Sequence, residues 1–337
     1  MTAGSGNRRR GVLVRMLASY VRRPSNIVAL AFLALTGIVA LAADLLAAEK
    51  PLACNLDGKI YVLPVYTMPL ALADHDNHSL AELVRERGGW TIAPPIPFGP
   101  NQTKRGGRVD WLRAPGRVHL LGTDDAGRDV LARIVHGTRV AWVVGLGSML
   151  VSTVLGVFLG ALAAYFGGRL DRVVLTLVET LSAFPALFFL LALQGLLGTG
   201  SLWRLIAFIG LLRWTDVARV TRAEVLRVVN EEYVDAARAL GLGHLRVLRR
   251  HVLPGAIGPV LVSSTFGVAG AVLIESTLSF LGFGVPPLTA SWGQLLTDAF
   301  FTDGCWWLVL FPGLMLAATV LAINMVGGGL REAAEEA

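Results

Sequence analysis

Apolar runs of bilayer-spanning length recur along the chain, separated by polar, charged or glycine-rich stretches. Ile27–Ala47 supplies about the 20 residues that a hydrocarbon core requires and predicts a first transmembrane helix. Ala141–Phe166 predicts a second; Gly145, Gly147, Gly156 and Gly160 lie in it, and such small residues let helices approach closely in lipid. Val173–Leu197 predicts a third with Pro185 in its middle, where the freed backbone carbonyl must be met by neighbouring protein or water. The fourth, Leu202 to about Val220, is apolar only as far as Leu212 and is crowded by Arg204, Arg213 and Asp216. Ala256–Leu281 and Trp306–Met325 predict the fifth and sixth, with Trp306 and Trp307 as interface anchors.

Charge gives these segments a direction. The start, before Ile27, holds six Arg and no acid, which places it on the cytoplasmic side. A short amphipathic helix near Val12–Val21 is expected to lie on the membrane. Arg169 and Arg172 mark one later connection as cytoplasmic. Arg213, Arg219, Arg222, Arg227, Arg238, Arg246, Arg249 and Arg250 mark another. Two spans must separate connections on the same side, which is the reason for counting Leu202–Val220 as a span; Arg213 and Arg219 would then snorkel at the inner interface. The expected fold is an all-α membrane protein of six transmembrane helices with both ends cytoplasmic and an extracytoplasmic insert after the first helix.

Composition agrees. Of 337 residues, 54% are hydrophobic and only 16% charged, against roughly 25% in soluble domains; the mean hydropathy is +0.61. The net charge of +6 does not imply nucleic acid, because basic cytoplasmic loops produce the same excess. Two cysteines, Cys54 and Cys305, exclude a disulfide scaffold and a four-cysteine metal site. Neither an H-E-x-x-H nor a G-x-S-x-G motif occurs, so an intramembrane enzyme is disfavoured.

The most informative polar segment is Glu232–Pro254, EYVDAARALGLGHLRVLRRHVLP. Glu231–Leu240 reads as a short helix with acids at its N-terminal end, where the helix dipole favours them. Gly241 and Gly243 break it. A short basic helix, His244–Arg250, follows, and Pro254 is expected to end it before the next span. Leu240, Leu242, Leu245 and Leu248 form an apolar ridge and Arg246, Arg249 and Arg250 supply charge, a knob suited to a groove on a partner.

This segment resembles the EAA loop of ABC importer permeases. The family pattern of Glu-Ala-Ala, three residues, Gly, nine residues, Ile, one residue and Leu-Pro stands here as Asp235-Ala236-Ala237, Gly241, His251 and Leu253-Pro254. Asp replaces Glu and His replaces Ile, with the spacing intact. Leu121–Ala141, Glu275–Leu296 and Asn324–Ala333 resemble further segments of the dipeptide/oligopeptide/nickel permease family, C-type subunit, and Gly88–Asn101 resembles a subgroup linked to longer peptides. The resemblance implies the type I ABC importer permease fold and a division into a cytoplasmic tail (1–26), a first transmembrane helix (27–47), an extracytoplasmic insert (48–139), a transmembrane permease domain (140–328) with a coupling loop at 231–254, and a cytoplasmic tail (329–337).

It also implies a permease subunit in the cytoplasmic (inner) membrane that pairs with a homologous permease, is driven by two ABC ATPase subunits and receives substrate from an extracytoplasmic binding protein. Peptides are the expected substrate class, with nickel or another small solute as the alternative within the family. The implied coupling residues are Asp235, Ala236, Ala237, Gly241, His244, Leu245, Arg249, Arg250, His251, Leu253 and Pro254. No catalytic residue, cofactor or metal is expected. There is no G-x-x-x-x-G-K-[ST] loop, and no Lys lies beyond Lys104 to serve one, so nucleotide energy must come from elsewhere. A channel working alone would leave the knob without a role.

Glu179 and Glu275 fall within spans, where an acid is costly and faces protein or a water-filled path. Each is either part of a translocation path or a structural hydrogen-bonding group, with the structural role favoured for Glu179. Gln194 and Asn324 read as helix–helix contacts. Thr123 reads as the N-cap of a helix over Ala126–His136, with internal pairs for Arg128 and Asp129. His75 and His78, beside Asp74 and Asp76, read as a solvated loop rather than a metal site, since no further ligand is evident. A Cys54–Cys305 disulfide is permitted by their shared outer side but disfavoured without known geometry.

Overall fold

In the computed structural model the described residues are Tyr20, 23–67, 69, 72, 75–103, 110–198 and 200–335. The expected surface helix near Val12–Val21 lies outside them except for Tyr20. The helices are α1 (Pro24–Leu41), α2 (Ala43–Leu46), α3 (Pro64–Thr67), α4 (Asn77–Glu86), α5 (Val130–Phe166), α6 (Gly168–Ala183), α7 (Ala186–Leu197), α8 (Leu202–Val229), α9 (Glu232–Ala239), α10 (His244–Val247), α11 (Leu253–Phe280), α12 (Trp292–Phe300) and α13 (Trp306–Glu335). Three strands, β1 (Ala53–Leu56), β2 (Lys59–Val62) and β3 (Trp90–Ile92), form an antiparallel sheet of order β2-β1-β3. The all-α expectation is therefore corrected by this small sheet in the insert.

Among the described residues, four helical stretches are long and apolar enough to cross a membrane: Pro24–Leu41, Val130–Phe166, His244–Phe280 and Trp306–Ala333. The pair α6 and α7 would make a fifth, but it is bent by 84°. The expected third span is thus not one rod. The residue before a proline is pushed out of the helical region, and Phe184 is extended (φ −85°, ψ 131°) ahead of Pro185. Helix α8 is 28 residues long, and its Arg and Asp side chains keep it out of the apolar class.

Small residues set the bundle. A Cβ on Gly147 would meet Ile206, on Gly156 Val217 and on Gly160 Ala218. Positions rise together on both helices, so α5 and α8 run parallel in close contact. Against α11 the order reverses, Gly145 facing Val268 and Val272 while Ala161 clusters with Ala256, so those two are antiparallel. Gly37 faces Trp142 and Gly329 faces Asn26, which sets α1 antiparallel to both α5 and α13. Parallel α5 and α8 are the arrangement that an odd number of crossings between them, expected from the Arg-rich segments, would produce. Gly156→Leu is expected to force these helices apart, because even a Cβ there would stand 2.6 Å from Val217 Cβ and 2.8 Å from the Trp214 carbonyl oxygen. Overpacking of this kind costs about 1–3 kcal/mol, and a lowered thermal midpoint in detergent would register it.

These directions gather two ends. One holds Arg23, paired with Glu332 at 2.7 Å, Asp171, paired with Arg222 at 2.6 Å, and the segment 231–254. The other holds the insert and the loop 282–305, joined by Asn101 Nδ2 donating to the Leu288 carbonyl (2.7 Å). Residues 130–139, expected in the insert, belong to α5. Asp129, not Thr123, caps it: its side chain accepts from the Ala132 N–H at 2.8 Å. Thr123 instead accepts from the Arg113 N–H and donates to the Asp110 carbonyl.

The insert has its own small core. Asp57 and Gly58, both at positive φ, turn β1 into β2. Cys54 and Leu56 are buried with Leu72, Leu80 and Val84 beneath α4, whose start carries a reciprocal Asp76–Ser79 capping box. Cys305 is buried in a different cluster with Trp292 and Trp307. Both cysteines are free thiols.

Candidate functional site

The segment 231–254 is built as a helix, a tight turn and a second helix that never ends. Glu232 and Asp235 stand in the first turn of α9 and Arg238 in its last, matching the dipole at both ends. Gly241 closes the turn at φ +77°, a conformation that a Cβ would strain. Then α10 begins at His244, and here the structure corrects the sequence reading. Pro254 does not stop the helix. One turn of π-helix, Leu248–Val252, leads into α11, with the Leu253 N–H donating to the Leu248 carbonyl. A proline lacks an N–H, and the wider i to i+5 turn immediately before it lets the chain continue. His244–Phe280 is one 37-residue helical stretch.

The knob is seated by its apolar side. Val234, Ala237, Val247, Leu248 and Val252 are buried against Val225 and Val228 of α8 and Ala161 and Ala164 of α5. The expected leucine ridge therefore divides: Leu248 faces inward and Leu242 is half-buried, while Leu240 (82%) and Leu245 (61%) are exposed. Leu245, Arg246, Arg249 and Arg250 line an open concavity of about 500 Å³. Asp235, Ala236, Gly241 and His244 are also exposed, and Asp235 pairs with Arg238 at 3.3 Å. Ala237 is buried, His251 and Leu253 are half-buried and Pro254 is exposed.

Two residues that sequence reasoning passed over fasten this arrangement. Tyr165, at the end of α5, sits 3.4 Å from His244 Nδ1 and carries Arg238 over its ring at 5.7 Å. Tyr233 donates to the His251 carbonyl at 3.4 Å and closes on Gly255, where a Cβ would stand 3.0 Å from its hydroxyl. Tyr233, an aromatic residue inside the polar segment, was the available signal.

The two acids expected within spans separate. Glu179 is exposed on α6. Glu275 is 1% exposed and lines no open path; the hydroxyls of Ser279 (2.7 Å), Ser291 (2.7 Å) and Ser276 (3.2 Å) donate to it. Gln194 is buried, whereas Asn324 is exposed.

At the opposite end a charged network fastens α12 to the start of α5. Arg128 Nε donates to Asp124 (2.6 Å) and Arg128 Nη2 reaches Asp298 (3.3 Å), while buried Arg133 lies 3.4 Å from Asp124 and donates to Gln294 (3.1 Å). Asp129 in turn lies 2.8 Å from His119, so Arg128 and Asp129 each form an internal pair. Asp124, Asp125 and Asp298 come close enough to share a cation, but Arg128 and Arg133 already stand among them. His75 and His78 join no such cluster among the described residues; His78 lies 3.5 Å from Glu82, and Asp74 is outside those residues.

Burial, chiefly, and the nearby carboxylate of Asp125 push the Asp298 carboxyl up to about 6. A group that holds its proton more tightly when folded contributes stability below its unfolded value, near 3.9, and loses it as pH rises through about 6. Asp298→Asn is therefore expected to flatten the fall in stability between about pH 4 and pH 6, a change that thermal unfolding across that range would reveal.

Residues 156–336 match the family described as "Binding-protein-dependent transport system inner membrane component". The chain belongs to this family. It is 38% identical over 224 residues to the di/tripeptide transport system permease protein DppC of Pseudomonas aeruginosa (strain UCBPP-PA14), covering 66% of this chain and 74% of that one. It is 41% identical over 244 residues to a putative peptide permease protein of Brucella suis biovar 1 (strain 1330), covering 71% and 78%. Among solved structures it is similar to an amino acid ABC transporter with histidines (TM-score 0.47, 16% identity, 59% of this chain and 92% of that one). The resemblance read from the Asp235–Pro254 spacing thus holds: this is a permease subunit of an ABC importer, a helical membrane protein.

Proposed function

We propose that this permease subunit imports peptides as the C-type half of a heterodimer, crossing the inner membrane six times with both ends cytoplasmic. The α6–α7 pair and α8 are the third and fourth spans, and the exposed side of α6, with Glu179, faces the partner permease and the path between the two. Two ABC ATPases grip the knob at Asp235–Pro254, and an extracytoplasmic binding protein delivers substrate to the end that carries the insert. The observation that carries this reading is the unbroken run from His244 to Phe280. The exposed Leu245, Arg246, Arg249 and Arg250 sit on the same rigid body as a membrane helix, so displacement of the knob by a closing ATPase dimer tilts that helix as a lever. Two discrete states linked by rigid-body motion then suffice for alternating access. Peptide as cargo is supported by what the relatives from Pseudomonas and Brucella are named for.

The test is ATP-dependent uptake by proteoliposomes holding the complete complex. Accumulation of labelled di- and oligopeptides is expected. Accumulation of Ni²⁺ with no peptide uptake would replace peptide by metal within the same architecture. Labelling of a Gly241→Cys variant only from the outside would overturn the orientation.

A further inference from the structure

The sheet of the insert has two faces, and only one is covered. Residues paired across strands share a face, so Val62, Ala53 and Ile92 form one row and Ile60, Asn55 and Trp90 the next. Cys54 and Leu56 project to the other side and are buried beneath α4. On the open face Ile60, Val62, Trp90 and Ile92 are 63%, 62%, 44% and 53% exposed. Neither row contains a charge. Contiguous exposed apolar surface of this kind marks a contact with something apolar.

We propose that this open face rests on the outer surface of the lipid bilayer beside the first helix and holds the insert there. The proposal depends on reading α1 as a membrane span. Position and continuity carry it. The chain just past β3 is stitched to the end of α2: the Ile96 N–H donates to the Leu46 carbonyl at 2.9 Å and the Ala48 N–H to the Ile96 carbonyl at 3.3 Å. Just past β2, the Tyr66 hydroxyl donates to Asp44 Oδ2 of α2 at 3.1 Å. The row Val62–Ala53–Ile92 therefore starts where the first helix leaves the hydrocarbon. Along that helix Leu35, Ile38 and Leu41 are exposed, Leu41 most of all, so lipid-facing surface runs up to the level of the sheet. The chemistry also fits the headgroup boundary, where Trp and Tyr rings settle with an apolar body and a polar tip; Trp90 and Tyr66 are exposed aromatics on or next to this face. The face acts as a foot that fixes the insert's height at the membrane surface.

The test uses the full transporter in nanodiscs made with either ordinary or acyl-chain-brominated phosphatidylcholine, comparing wild type with Trp90→Phe and Trp142→Phe. Bromine quenches only tryptophans in contact with lipid chains. The emission lost in Trp90→Phe isolates the signal of Trp90, and that signal is expected to lose most of its intensity in brominated lipid. Ile60→Asn with Val62→Asn should relieve the quenching without altering circular dichroism. An unquenched Trp90 beside a quenched Trp142, which lies between α1 and α5, would overturn the lipid contact while leaving the spans in place. If neither residue were quenched, the membrane reading of α1 and α5 would fall, and the proposal with it. An unquenched Trp90 whose emission shifts on adding the binding protein would assign the face to that protein and overturn the proposal.

Discussion

Reversing Arg249 and Arg250 to Glu is expected to abolish ATP-driven uptake and to strip the proposed ATPase subunits from the purified complex, with circular dichroism unchanged. Both side chains are exposed and line one concavity with Leu245 and Arg246, so nothing in the folded core depends on them. Substitutions of this kind stay within roughly 0.5 kcal/mol in stability. At an interface the same residues weigh far more. Arg is enriched among binding hot spots, where truncation costs about 2 kcal/mol or more, a factor of roughly 30 in affinity at about 1.4 kcal/mol per tenfold. Two reversals add repulsion from any acidic groove that had matched the native pair. Gly241→Pro is the backbone counterpart: proline holds φ near −65°, and Gly241 sits at +77°. That variant should tilt α9 away from α10 and weaken coupling with the Arg side chains intact. Uptake and co-purification at wild-type levels in the double reversal would remove the knob from the coupling pathway.

What was legible in the sequence follows from how directly each feature depends on local chemistry. The Asp235-Ala236-Ala237 and Gly241 turn could be placed because dipole matching and a left-handed glycine act within a few residues. A helix from Leu202 to about Val220 could be placed despite Arg204, Arg213 and Asp216 because parity constrains the number of crossings; α8 runs nine residues further, to Val229, and packs parallel to α5. Other features turned on contacts distant in sequence. Pro254 reads locally as a stop, yet the π turn before it, packed on Val225 and Val228, carries the helix through. Pro185 reads as a proline tolerated within one span; the chain instead bends by 84° there, and only Val174 and Val178 of α6 are buried, leaving little to hold α6 and α7 in line. Thr123 is a good capping residue by type, but Asp129 lies six residues on and is held by His119. The insert's sheet escaped notice because its strands are only three or four residues long, too short to show alternation above background.

Glu275→Leu is expected to unseat the loop 282–305 and destabilise the protein, whereas Glu275→Gln is expected to be mild. The carboxylate is the shared acceptor for three buried hydroxyls, and two of these have second tasks. Ser279 Oγ also accepts from the Val285 N–H (3.3 Å), and Ser291 Oγ caps α12 through the Gly293 N–H (3.1 Å). Leucine would leave the hydroxyls without an acceptor in a site closed to water, at about 1–3 kcal/mol for each polar group left unsatisfied. Some of that is recovered where Ser276 and Ser279 turn to carbonyls of their own helix, so a net loss of about 2–4 kcal/mol is expected. Gln retains one acceptor oxygen and offers two donors that rotated serine hydroxyls can accept, and its shape is nearly that of Glu. There is also little room for compensation by shifting α12, since a Cβ on Gly293 would stand 2.2 Å from the Ser276 carbonyl oxygen. The ordering wild type, then Gln, then Leu in thermal midpoint, with uptake following the same order, is the expected result. A Gln variant as stable as wild type but inactive would instead make the charge of Glu275 a requirement of transport itself.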